Sequence, residues 1–153
     1  MKIEIDQSGR IEYTNKPTVI GFSNSKDKTI IIFSTKKQKL QRYFRKIGKP
    51  RLFVYATFAF LIYLLLKHER GIDEICIDEE YTGQGALIKN YLLIFFRKSG
   101  REMDKRSIYF TQIGKKARIH GIVIDAYRCK KADIKITTDE IMKYLAKIKS
   151  GVW

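Results

Sequence analysis

A single apolar run constrains the fold of this chain more than any other feature. Leu52 to Leu66 reads LFVYATFAFLIYLLL, fifteen residues in which Thr57 is the only polar interruption. A bilayer-spanning helix needs about twenty apolar residues, and the charged flanks, Arg51 and residues 67–70, do not extend the run. A helix that is apolar on every side has to be covered on every side. The run therefore predicts a buried helix at the centre of the fold.

The segment before this helix has the pattern of an antiparallel sheet. Its first strand alternates isoleucine with acidic residues and ends at Asp6, as a strand with one buried face does. A turn at Ser8-Gly9 and a later polar loop separate further apolar stretches rich in β-branched residues. We predict strands over residues 3–6, 11–14, 18–22 and 29–33.

Helical and strand patterns alternate through the rest of the chain, which favours parallel strands joined by right-handed helical crossovers. Its 153 residues fit one domain with one core. We therefore predict a single α/β domain over residues 1–153, with a mixed sheet whose first three strands are antiparallel and whose later strands are parallel, flanked by helices. The predicted helices cover residues 36–47, 51–68, 86–98, 115–129 and 139–149, the last with Thr138 as its N-cap, and the later strands cover 72–77, 107–113 and 132–137.

The balance of charge points to a polyanionic partner. The chain has 31 Lys and Arg against 16 Asp and Glu, a formal net charge of +15, and such an excess repels itself in the folded state unless a partner supplies counter-charge. An anionic membrane or an acidic protein could do so, but nucleic acid is the commonest such partner, because each neutralised phosphate releases counterions. We expect single-stranded DNA or structured DNA or RNA as the partner, and no membrane. The predicted contacts are Lys36, Lys37, Lys39, Arg42, Lys46, Lys115, Lys116 and Arg118.

Two carboxylates occupy matching places at the ends of predicted strands. Asp6 ends the first strand and Asp78 ends the strand at 72–77. If those strands are neighbours, the two side chains converge on one edge and repel each other unless a cation lies between them. Mg²⁺ or Mn²⁺ is the natural cation for oxygen ligands, and such a site can activate water for phosphodiester cleavage. Glu80 shares the strand parity of Asp78 and is a possible third ligand.

One further side chain from the helix at 115–129 could complete this site. The candidates are His120 and Asp125, which lie about 140° apart around a helix, so both cannot face one site. His120 is nearer the helix start, where the preceding loop would bring it to the strand ends. We favour His120 as the catalytic residue and keep Asp125 as the alternative.

Four segments resemble the ribonuclease H-like superfamily, and within it a small archaeal, RuvC-like nuclease family: IDQSGRIE, GKPRLFVY, IDEEYTG and IGKKARIH. The resemblance implies a ribonuclease H-like fold over nearly the whole chain and metal-dependent nuclease activity. It implies that Asp6 and Asp78 are metal ligands, with His120 or Asp125 completing the site. The alternatives are a nucleic-acid-binding module that kept the fold without catalysis and an adaptor for an acidic protein.

The cysteines indicate no metal or redox site. Cys76 lies in the apolar run Ile75-Cys76-Ile77, and the spacing to Cys129 matches no known motif. Free thiols suit a reducing compartment, so we expect a cytoplasmic protein.

Overall fold

The computed structural model describes residues 1–147, and within them six strands form one mixed sheet. The strands are β1 (Lys2–Ser8), β2 (Thr18–Ser23), β3 (Asp27–Ile32), β4 (Glu74–Asp78), β5 (Ile108–Thr111) and β6 (Ile134–Lys135). Their order across the sheet is β5-β4-β1-β2-β3-β6. The first three are antiparallel, β4 is parallel to β1, β5 to β4, and β6 to β3. The predicted α/β class and mixed sheet are confirmed.

Helices cover both faces of this sheet. They are α1 (Ser34–Lys46), α2 (Leu52–Leu66), α3 (Gly85–Lys98), α4 (Arg118–Cys129) and α5 (Thr138–Lys147), with a short 3₁₀ turn at Lys105–Ser107. Side chains of α1, α2, α3 and α5 share one large core with one sheet face, which includes Ile3, Ile5 and Phe22. On the other face α4 makes a smaller core with Val19 and Ile31.

The apolar run forms α2, as predicted, and it lies at the centre of the larger core. Twelve of its residues are buried. The Phe60 ring stacks on Tyr144 of α5 at 4.0 Å and meets Phe95 of α3 edge-on at 5.7 Å. Among the described residues no helix has both the length and the apolar character needed to cross a membrane.

The predicted strand at residues 11–14 is wrong, because this stretch consists of turns. Backbone carbonyls in and next to this stretch accept hydrogen bonds from a lysine side chain instead of pairing with another strand. The Lys37 ammonium donates to the carbonyl oxygens of Arg10, Tyr13 and Lys16 at 3.1, 2.8 and 2.7 Å, and to the Thr18 hydroxyl at 2.9 Å. Residues 9–17, which we name the β1–β2 loop, therefore wrap around one buried cation.

All five helix starts differ from the prediction by one to three residues, and two of these differences bear on the site and on helix capping. The helix expected from residue 115 begins at Arg118, so Lys115 and Lys116 precede it in a loop. The last helix begins at Thr138, and Thr137 rather than Thr138 caps it, since the Thr137 hydroxyl accepts the Glu140 N–H at 3.2 Å. Residues 148 and 149, predicted to extend that helix, lie outside the described residues.

Candidate metal centre

The carboxylates of Asp6 and Asp78 lie together, as predicted, although Asp6 lies within β1, which continues to Ser8, and only its pairing with β4 ends at Ile5. Strands β1 and β4 are parallel neighbours in a register that pairs Ile5 with Ile77, so Asp6 and Asp78 follow at the same edge of the sheet. Glu80, two residues further on, joins them. One carboxylate oxygen from each of the three residues lies within 4.8 Å of the others. Within residues 1–147 this is the one group of three or more potential metal-ligating side chains so arranged.

Asp6 is buried, although it shares a strand face with exposed Glu4. Its side chain is 3 % exposed, because α4 covers this end of β1. One carboxylate oxygen accepts the Gln7 N–H at 2.8 Å, and the other lies 2.9 Å from His120 Nδ1. Burial raises the pKa of Asp6, and the hydrogen bond from His120 opposes that rise. Each oxygen still has a lone pair available for a metal ion.

A glycine lets α4 approach closely enough for this contact. Gly21 is the cross-strand partner of Asp6, and directly opposed residues share a face of the sheet. A Cβ atom at Gly21 would lie 2.9 Å from Val123 Cγ1 and 3.1 Å from Ile119 Cδ1, closer than carbon atoms pack. The missing side chain therefore allows α4 to lie against β2, which places His120 over Asp6.

Asp78 and Glu80 are held by the segments that follow β4 and β5. Asp78 accepts the Ile113 N–H at 2.8 Å, and a tight turn joins the Glu80 N–H to the Asp78 carbonyl at 2.9 Å. Burial, together with the hydrogen bond and charge of Asp78 and the charge of Asp6, raises the pKa of Glu80 to about 8. Glu79 is exposed and lies outside the cluster. The three clustered carboxylates thus carry negative charge that their protein neighbours only partly balance.

The two candidates on α4, His120 and Asp125, lie on different sides of the helix. His120 contacts Asp6 and its side chain is 29 % exposed. Asp125 is exposed and is not among the clustered carboxylates, so the structure does not bring this second candidate to the site. The reason is the predicted angular separation around the helix: with His120 turned toward β1, Asp125 turns to solvent.

Lys37 was predicted to bind nucleic acid, and this prediction is wrong. Its side chain is 0 % exposed and occupies the inner stripe of α1 with Leu40 and Phe44. Its hydrogen bonds all go to the β1–β2 loop and Thr18. Burial lowers the pKa of Lys37 to about 8. No part of this ammonium is available to a phosphate.

The other cations predicted on α1 differ in their surroundings. Arg42 and Lys46 are exposed, whereas Lys36 and Lys39 are half-buried, and the Lys36 ammonium donates to the Thr138 hydroxyl at 2.5 Å. Because β3 runs parallel to β1, α1 begins near the edge that carries the carboxylates and then leads away from it. Lys46 therefore lies about 15 Å further along the helix than Lys36.

Cations near the start of α4 lie closer to the carboxylates. Lys115 and Lys116 are exposed in the loop that also supplies the Ile113 N–H to Asp78. Arg118 is paired with Asp27, with 2.6 Å between a guanidinium nitrogen and a carboxylate oxygen. Within residues 1–147 the two lysines have no ion pair, and their loop contacts Asp78 through Ile113, whereas the charge of Arg118 is already paired.

Three residues at the rim were not predicted as site residues. The Tyr81 hydroxyl accepts from Gln7 Nε2 at 3.1 Å and from the Ile11 N–H at 3.2 Å, and burial raises the pKa of Tyr81 well above its usual value. The Arg10 guanidinium lies 4.8 Å from the centre of the Tyr81 ring and 3.8 Å from a Glu80 oxygen. Gln7 and Arg10 follow Asp6 within four positions, and this proximity was the one signal in the sequence for them.

No family model, curated protein or solved structure matches the chain. The assignment of a function therefore depends on the geometry of the site.

Proposed function

We propose that this chain is a divalent-metal-dependent nuclease with a ribonuclease H-like fold. The observation that carries the proposal is the cluster of Asp6, Asp78 and Glu80, whose oxygens lie within 4.8 Å of one another at the ends of adjacent parallel strands. The antiparallel β1, β2 and β3, with β4 parallel to β1, agree with the fold that the sequence resemblance implies. The net charge of +15 favours a polyanionic substrate.

The donor set fits a hard cation. Three carboxylates supply only oxygen ligands, which Mg²⁺ and Mn²⁺ prefer. Burial is the largest cause of the raised pKa of Glu80, and Asp78 and Asp6 add to it; a cation among the three would neutralise the charge of these neighbours. Asp6, Asp78 and Glu80 would hold the ion. When bound, it would supply Lewis-acid stabilisation and a more acidic water for attack on a phosphodiester.

His120 would handle a proton at this site. When its Nδ1 donates to Asp6, the neutral ring leaves the Nε2 lone pair free to accept a proton from water. Its partly exposed position gives water access to the ring. Asp6 would both bind metal and orient this ring, while Lys115 and Lys116 would hold substrate phosphates.

Cleavage assays test the proposal most simply. Labelled single-stranded DNA, duplex DNA and RNA are incubated with Mn²⁺ or with EDTA. We expect Mn²⁺-dependent cleavage of at least one substrate, and a loss of about 10²-fold or more in Asp6→Asn and Glu80→Gln, because each removes a ligand charge.

Glu79→Gln is the matched control, since it removes a neighbouring carboxylate outside the cluster, and it should cleave like the parent protein. Equal activity of Asp6→Asn, Glu80→Gln and the parent protein would contradict the proposal.

The second candidate is a nucleic-acid-binding module without catalysis. One observation favours it: α4 brings a histidine rather than a carboxylate to the cluster. Tight, salt-sensitive binding without cleavage under any metal condition would support this second function over the first.

A further inference from the structure

The guanidinium of Arg10 is held at the rim of the carboxylate cluster by contacts on several sides. Its central carbon lies 4.8 Å from the centre of the Tyr81 ring, and its Nε lies 3.0 Å from a Glu12 oxygen. Its backbone carbonyl accepts from the buried Lys37 ammonium at 3.1 Å. A side chain with this many contacts has already lost the freedom that an exposed arginine would lose on binding a ligand.

The supporting groups are themselves fixed. The Tyr81 hydroxyl is bonded to Gln7 and to the backbone of Ile11, and its ring packs edge-on against Phe58 of α2 at 5.3 Å. Gly9 supplies the turn before Arg10 with a φ of 80°. The position of Arg10 thus depends on β1, α1, α2 and the segment after β4. An arginine that only interacts with solvent needs no such set of contacts.

Most of the hydrogen-bonding capacity of Arg10 is unused. A guanidinium has five N–H donors, and within the described residues the one side-chain hydrogen bond of Arg10 runs from Nε to Glu12. One terminal nitrogen lies 3.8 Å from Glu80, which is an ionic contact and too long for a hydrogen bond. The side chain is 38 % exposed. Its free donors are therefore accessible to a ligand beside the cluster.

We propose that Arg10 is a catalytic residue that binds the scissile phosphate of a nucleic-acid substrate. This inference rests on the proposed nuclease function. The planar guanidinium can donate two parallel N–H bonds to two phosphate oxygens. Because Arg10 lies 3.8 Å from Glu80, a phosphate bound to a metal ion on the three carboxylates would be near these donors.

Arg10 would act by hydrogen bonding and charge, without transferring a proton. In the hydrolysis the oxygen of water bonds to phosphorus as its proton passes to His120 Nε2, one P–O ester bond breaks, and the leaving oxygen takes up a proton from solvent water. Negative charge is spread over the phosphoryl oxygens in that transition state, and a preorganised cation stabilises it. Arg10 would thus favour phosphodiesters as substrates and also increase the rate of their cleavage.

The test compares Arg10→Gln and Arg10→Lys with the parent protein in two measurements. The first is the cleavage rate at saturating oligonucleotide and Mn²⁺, and the second is the affinity for Mn²⁺ alone. We expect Arg10→Gln to lower kcat about 10²-fold. Arg10→Lys should stay about tenfold or more below the parent, because an ammonium lacks the planar fork.

The Mn²⁺ affinity separates a catalytic role from a structural one. Arg10→Gln removes a cation beside Glu80, so Mn²⁺ should bind to this variant as tightly as to the parent or more tightly. The cleavage rate should fall while the Mn²⁺ affinity does not. Arg106→Gln is the matched control, since Arg106 is exposed in the 3₁₀ turn before β5, at the opposite end of the parallel strands from the carboxylates, and it should equal the parent in both.

Three results would overturn the inference. If the kcat of Arg10→Gln is within about threefold of that of the parent, Arg10 has no catalytic role, but the proposed nuclease function is unaffected. A parallel loss of cleavage and Mn²⁺ affinity in both Arg10 variants would make Arg10 a structural residue. A parent protein without metal-dependent cleavage would overturn the proposed function, and the inference with it.

Discussion

The Glu80 carboxyl group is partly buried and lies beside two other carboxylates, Asp6 and Asp78. Its pKa is raised to about 8 by burial and by Asp78 and Asp6, although Arg10 is nearby. The sequence could place Asp6 and Asp78 at one edge because strand ends and side-chain parity follow from a period of two. It could not place Arg10, because the position of that side chain depends on Tyr81, which is distant along the chain.

The pKa of Glu80 makes the stability of the metal-free protein depend on pH. A carboxyl group that keeps its proton to a higher pH when folded stabilises the fold below its unfolded pKa and loses that contribution as pH rises toward 8. In EDTA, the unfolding free energy of the parent relative to Glu80→Gln should fall by about 1–3 kcal/mol between pH 5 and 8, allowing for solvent screening. Urea unfolding at several pH values measures this difference.

Glu79→Gln again serves as the control, and its difference from the parent should stay constant over the same range. If the parent and Glu80→Gln change in parallel with pH, the raised pKa of Glu80 is not a property of the folded protein.

At the scale of elements, α1 and the β1–β2 loop form one unit joined by Lys37. The helix over residues 36–47 was predicted from the sequence, but its lysines were all assigned to the surface that contacts nucleic acid. Lys37 is buried because backbone carbonyls of Arg10 and Tyr13 lie within reach, and such long-range acceptors leave no mark in a local pattern. The role of Gly21 also leaves no mark in the local sequence, because it depends on how closely α4 approaches β2.

Replacing Lys37 tests this unit. Lys37→Met keeps the volume but removes four hydrogen bonds and leaves the loop carbonyls without their donor. We expect the free energy of unfolding to fall by about 2–4 kcal/mol. Lys39→Met, a half-buried neighbour on the same helix, should change it by about 0.5 kcal/mol or less. Chemical denaturation compares the two, and equal effects would show that the loop does not depend on Lys37.

At the scale of the whole molecule, a strongly basic chain surrounds a cluster of three carboxylates. Exposed lysines and arginines lie on α1 and in the loop before α4, while three carboxylates converge at the ends of β1 and β4. A polyanion attracted by the net charge would meet negative charge at that edge unless a cation lies there. The charge and the strand directions were predictable from the sequence, since composition and the alternation of helical and strand patterns indicate them, whereas the order of the strands across the sheet was not. The choice between His120 and Asp125 needed the packing of α4.

A crystal soaked in Mn²⁺ tests the central claim most directly, because anomalous scattering locates the ion itself. We predict a peak between the carboxylates of Asp6, Asp78 and Glu80, within about 2.5 Å of an oxygen from at least two of them, and no peak there in Asp6→Asn. A fully occupied peak elsewhere with none at this cluster, or a cluster that stays without metal at saturating Mn²⁺, would contradict the account.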